Sequence, residues 1–156
     1  MIPCFNSEDS IYELIDNIFK EVDNFIEFSL AEIICVDDSS TDKTRNIIKN
    51  IQNKRDNVLY LSNKKNLGQV KSTLKGIKSS TGQYIVTLDD DGQHPPTEIT
   101  KLLSFCFYNK FDFVNGYWAN DETKIRNISS IIANYLINIL VFKSPKYRIT
   151  AFRCID

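Results

Sequence analysis

Three consecutive carboxylates, Asp89, Asp90 and Asp91, close an apolar run and are followed by Gly92, Gln93, His94 and the prolines Pro95 and Pro96. A second acidic pair, Asp37 and Asp38, closes another apolar run. Side chains alternate along an extended chain, so Asp89 and Asp91 point together if the extended conformation persists that far. Asp90 would be costly to carry inward, which argues that the strand ends there. Two carboxylates held close repel unless one is protonated or a cation sits between them. Oxygen donors favour a hard divalent ion, Mg2+ or Mn2+, over zinc, and Gln93 or His94 is placed to add a ligand from the turn. Such an ion keeps positions open for phosphate oxygens. The plainer reading is a solvated turn ahead of a proline-led helix, and the lone His94 is read as a turn residue.

Both acidic clusters need elements to position them. Ile11, Leu14, Ile15, Ile18, Phe19 and Val22 recur at helical spacing after "NSEDS", where Ser7 is suited to cap and Glu8 and Asp9 favour the first turn. Residues 31–38 read as a buried strand, 41–52 as a helix, 57–62 as a strand and 68–80 as a helix. A strand over 83–90, a helix opened by Pro95 and Pro96, and a strand over 111–116 follow. Strands separated by helices predict an α/β fold with a largely parallel sheet covered on both faces. Ligands then collect beyond the carboxyl ends of the strands, where both acidic clusters fall.

The whole chain narrows the partners. Its 156 residues are enough for one core, and nineteen basic against twenty acidic residues leave a net charge of −1. No global field favours nucleic acid or an anionic bilayer, so any anion must be held locally. Cys4, Cys35, Cys106 and Cys154 form no CxxC pair, and buried free thiols in a reducing compartment are expected. No signal peptide is visible at the start. Residues 128–142 carry an apolar stripe, Ile128, Ile131, Ile132, Tyr135, Leu136, Ile139 and Leu140, too short to span a bilayer. That stripe predicts an amphipathic core helix, with interfacial attachment as the alternative, and Lys143, Lys146, Arg148 and Arg153 follow it.

Taken in order, "IPCFNSEDS", "AEIICVDDSSTDKT", "NLGQVKSTLKGIKSSTGQYIVTLDDDGQHPP" and "FDFVNG" resemble the family 2 glycosyltransferases, and most closely their polyprenyl-phosphate branch. The resemblance implies the GT-A nucleotide-diphospho-sugar transferase fold, a Rossmann-like, mostly parallel sheet flanked by helices. It implies that Pro3, Phe5, Asn6 and Glu8 line a nucleotide pocket, with Phe5 in place of the usual tyrosine, and that Asp37 and Asp38 contact base and ribose. Gly68 and Gln69 match a motif beside the nucleotide, and Asp90 joins the nucleotide-contacting set. Asp89 and Asp91 match a DxD metal site and are the catalytic pair, with Gln93 as a third ligand to Mg2+ or Mn2+.

The implied reaction is inverting transfer of a sugar from a nucleotide-diphospho-sugar donor to a polyprenyl phosphate or a glycan. A cytoplasmic location is expected, with peripheral contact at the inner face of the membrane and no nucleic-acid partner. The chain reads as a single partial catalytic domain over 1–156, lacking the family's full first strand and its C-terminal part. Tyr117, Trp118 and Ala119 stand where related enzymes carry an arginine, and Tyr147 and Ala151 stand near the places of an acid and a glycine. These departures set up the alternative of a nucleotide-sugar-binding module without transfer activity.

Overall fold

The computed structural model describes residues 1–23, 25–116 and 153–155. In chain order its elements are β1 (Ile2–Cys4), α1 (Ile11–Asp23), β2 (Ile33–Asp37), α2 (Thr44–Gln52), β3 (Val58–Ser62), α3 (Gln69–Ser79), β4 (Ile85–Thr87), α4 (Thr97–Asn109), β5 (Phe113–Asn115) and β6 (Arg153–Ile155). The stripe at 128–142 and the basic residues 143–148 lie outside the described residues, as do Tyr117, Trp118, Ala119, Tyr147 and Ala151.

β1, β2 and β3 pair in parallel in that order, with Cys4 opposite Asp37 and Asp37 opposite Ser62. Where a missing first strand is expected from the sequence, Ile2–Cys4 forms a short one. The Met1 nitrogen donates to the Val86 carbonyl at 2.7 Å, and the Leu88 N–H to the Met1 carbonyl at 3.1 Å. That is the bond pattern of a parallel pair, so β4 runs beside the start of β1. The largely parallel arrangement that the sequence predicts carries an antiparallel strand at the far side, where β6 lies between β4 and β5 and is antiparallel to both. Three residues, Arg153 to Ile155, are too short a segment to show a strand's periodicity.

Alternation along β2 separates the two faces of the sheet. Ile33 and Cys35 join Ile2, Cys4 and Val58 in one core cluster with Ile11, Leu14, Ile15, Ile18 and Phe19 of α1, Ile48 and Ile51 of α2, and Ile99, Leu102 and Cys106 of α4. Val36 faces the other way, against α3 at Gly76, where an added Cβ would collide with the Met1 side chain and press on Val36. Helices therefore cover both faces, as the alternating pattern predicts. All four cysteines are buried free thiols. Among the described residues, no helix is long and apolar enough to cross a membrane.

Candidate active site

β2 and β4 end on either side of β1, and the acids that follow them meet at one cavity of about 330 Å³ lined by Pro3, Cys4, Phe5, Asp38, Gln69, Ser72, Asp89, Asp90 and Asp91. Seven residues predicted as site members are thus brought together: Pro3, Phe5, Asp38, Gln69 and the three acids. β4 stops at Thr87, earlier than the sequence suggests, and residues 90–92 turn, with Gly92 at φ +71°. Asp89 and Asp91 therefore share the cavity because of a turn, not because a strand persists.

Asp89 is half-buried, and its carboxyl is pushed above the usual carboxylate value by burial and by the like charges of Asp91 and Asp90. His94 and a hydrogen bond from the Gln69 amide work in the opposite direction. Gln69 is the first residue of α3, so the helix start delivers its side chain to Asp89. His94 is buried and accepts the Asp89 N–H at Nδ1, 3.4 Å away, which suits the reading of it as a turn residue. Asp91 accepts the Gln93 N–H at 3.0 Å, and both residues are exposed.

Asp38 is anchored from several directions. Its Oδ1 accepts from Asn63 Nδ2 at 2.7 Å and from the Leu67 N–H at 2.9 Å, and its Oδ2 accepts the Gly68 N–H at 2.7 Å. Burial acts to raise its pKa, but these bonds and Ser72 outweigh it and hold the carboxyl below its ordinary value. Asn63 also donates to Ser72 Oγ at 2.9 Å and accepts from Lys75 Nζ at 3.0 Å. Sequence reasoning missed Asn63, Ser72 and Cys4. Asn63 offered only a polar side chain after a strand, which many solvated loops share, and Ser72 within α3 and Cys4 within β1 carry no local mark of a site.

Other expected contacts are turned elsewhere. Asp37 is fully buried away from the cavity lining, accepting from Ser40 N at 2.8 Å and Tyr60 Oη at 2.7 Å, with Arg45 Nε 3.8 Å away. Asn6 and Glu8 join two loops: Asn6 Oδ1 accepts the Thr41 N–H at 2.9 Å and Glu8 Oε2 the Lys43 N–H at 2.9 Å. Asp42 Oδ2 in turn accepts the Glu8 N–H at 3.0 Å, and its Oδ1 accepts the Thr44 N–H at 3.0 Å. Asn6 sits at φ +53°, a left-handed conformation that Asn tolerates better than most residues. Ser7 does not cap α1 with its hydroxyl, which donates to Asp90 Oδ2 instead; the same oxygen accepts the Phe5 N–H at 2.9 Å. Asp90 thereby clamps the loop after β1 to the acidic turn while still lining the cavity. Gly68 and Gln93 are absent from the cavity lining, and Gly68 spends its N–H on Asp38.

A family model described as glycosyl transferase family 2 matches residues 1–154. The chain belongs to glycosyl transferase family 2. Among its relatives, the dodecaprenyl-phosphate galacturonate synthase of Rhizobium johnstonii is 31% identical over 140 residues, which cover 88% of this chain and 41% of that protein. The structure of Mycobacterium tuberculosis glucosyl-3-phosphoglycerate synthase in complex with uridine diphosphate superposes with a TM-score of 0.73 at 17% identity, covering 99% of this chain and 55% of that one. A mannosyltransferase of Pyrobaculum calidifontis, solved with GDP-mannose and Mn2+, gives 0.62 at 18% identity, covering 74% and 34%. The GT-A fold that the motifs imply is thus the fold of this family 2 chain. The chain spans less than two thirds of each of these proteins.

Among the described residues, no group of three or more His, Cys, Asp and Glu converges as a metal cage. The acidic turn still fits a divalent ion bound jointly with a ligand. Half-buried Asp89 carries a penalty from burial and from the like charges of Asp91 and Asp90 that a cation would relieve, and magnesium-type ions are commonly held by one or two carboxylates plus substrate phosphates.

Proposed function

We propose that this domain transfers a sugar, with inversion, from a nucleotide-diphospho-sugar to a polyprenyl phosphate, using Mg2+ or Mn2+ held by Asp89, Asp91 and Gln93. The observation that carries the reading is the meeting of Asp89, Asp91, Asp38 and Gln69 at one cavity. The galacturonate synthase, named for a dodecaprenyl phosphate, supports the lipid acceptor over a glycan.

Each residue has a physical role in this reading. Asp89 and Asp91 hold the ion and do not attack the sugar. When bound, the ion would supply positive charge against the negative charge developing on the departing nucleoside diphosphate. Pro3 and Phe5 wall the donor cavity, and Asp38 fixes the backbone at Leu67 and Gly68 beside it. The described lining residues include no histidine or lysine, and the lining aspartates are taken up by the ion or, at Asp38 and Asp90, by hydrogen bonds, so none is left to serve as a general base. A phosphate acceptor needs none, because its oxygen is already anionic near neutral pH.

Calorimetry with UDP and GDP, with and without Mn2+, tests the site. Metal-dependent nucleotide binding is expected, and it should vanish in the Asp89→Ala/Asp91→Ala double variant. Unchanged affinity in that variant, with Mn2+ present, overturns the reading. Incubation with a nucleotide-sugar panel and a polyprenyl phosphate then separates a transferase from a module that only binds donor.

A further inference from the structure

We propose that the outward face of α3 docks on the anionic surface of a lipid bilayer. The inference deepens the reading above, which requires the domain to meet a lipid-borne phosphate, but the face is defined without it. α3 buries Ser72 and Gly76, and its residues Gln69 and Ser72 line the donor cavity. At 100° per residue, Val70, Leu74, Lys71 and Lys78 fall on the opposite side. Val70 is 74% exposed and Leu74 50% exposed, one turn apart. α2 makes the contrast: its exposed positions Arg45, Asn46, Lys49 and Asn50 are all polar, and its isoleucines are buried or half-buried.

Charge identifies what meets this stripe. From residue 57 to residue 88 the chain carries Lys64, Lys65, Lys71, Lys75 and Lys78 and not one Asp or Glu, within a protein of net charge −1. Lys75 is turned to the Ser62 carbonyl and Asn63, whereas Lys64, Lys65, Lys71 and Lys78 are exposed. Exposed apolar residues flanked by lysines are the makeup of a helix lying in a membrane interface, and each lysine near an anionic leaflet adds about fivefold to partitioning. One helix would thus rest on lipid headgroups with its far side and meet the donor with its near side.

The test is sedimentation of the full chain with phosphatidylcholine vesicles, with and without phosphatidylglycerol. The protein should follow the anionic vesicles and not the neutral ones, and added salt should release it. Lys71→Glu/Lys78→Glu should lower the partition coefficient about tenfold or more, and Val70→Ser/Leu74→Ser should lower it at every salt concentration. UDP binding by calorimetry should stay unchanged in all of these variants, which separates failure of docking from failure of the donor site. Equal binding by parent and charge-reversed protein, or no preference for anionic vesicles, overturns the proposal. So does a Val70- and Leu74-dependent dimer that ignores vesicles, or capture by RNA in place of lipid.

Discussion

Asp89 carries a cost that the fold does not relieve by itself. Its native carboxyl binds a proton more tightly than the unfolded chain does, whose value is near 3.8, so stability falls as pH rises through the window above that value. Asp89→Asn should therefore raise the melting temperature of the ligand-free protein at neutral pH, while abolishing Mn2+-dependent nucleotide binding. Below pH 3.8 the gain should disappear; a variant no more stable than its parent at pH 7 would contradict the electrostatic account. Gly68 makes a different demand. At φ +86°, ψ 156° it occupies a region that is essentially glycine-only, although a Cβ there would meet no atom within 4 Å. Gly68→Ala should cost about 1–3 kcal/mol in urea denaturation through backbone strain alone. It should also weaken nucleotide binding, because the neighbouring Gln69 reaches Asp89 from the same turn.

Among the elements, α3 carries most of the site's geometry, since its start holds Gln69, its inner face holds Ser72, and Gly76 lets it lie close on β1 and β2. Gly76→Val should push it off Val36 at a cost of about 1–3 kcal/mol from overpacking, read as a lower urea midpoint. The helices and their buried faces were legible in the sequence because apolar spacing at 3.6 residues is a local signal. Ile11, Leu14, Ile15, Ile18 and Phe19 are buried as that spacing predicts. Strand ends were less legible. β4 is three residues where eight were expected, since an apolar run does not reveal where its hydrogen-bonding partner stops. Ser7 shows the same limit for a side chain: its type suits a cap, but Asp90, 83 positions away, takes its hydroxyl.

Over the whole molecule, carboxylates stabilised by hydrogen bonds set the acid limit. Burial opposes ionisation of Asp38 and Asp42, yet bonds from Asn63, Leu67 and Gly68 in the first case, and from Thr44 and Glu8 in the second, hold both below the ordinary value. Their contribution is complete above about pH 3.8 and is lost as pH falls through their native values. The urea midpoint should therefore drop as pH falls below about 4, and Asp38→Asn should both lower it at pH 7 and flatten that acid limb. An acid limb as steep in the variant as in the parent would remove Asp38 from the account.

The order of helices and strands from α1 to β5, the two acidic clusters at carboxyl ends and the family itself were all present in the sequence, because each is carried by residue type and near-neighbour spacing. Only the tertiary structure decided which of the polar residues face the cavity. Asp37, Asn6 and Glu8 carry the chemistry of ligand contacts, yet they bond to Tyr60, Thr41 and Lys43. Conversely, Asn63 and Ser72 become part of the site only because β3 and α3 converge on Asp38. A side chain's donors and acceptors are fixed by its type, but a buried polar group takes whichever partner the packed chain brings within about 3 Å, and that choice is not local in sequence.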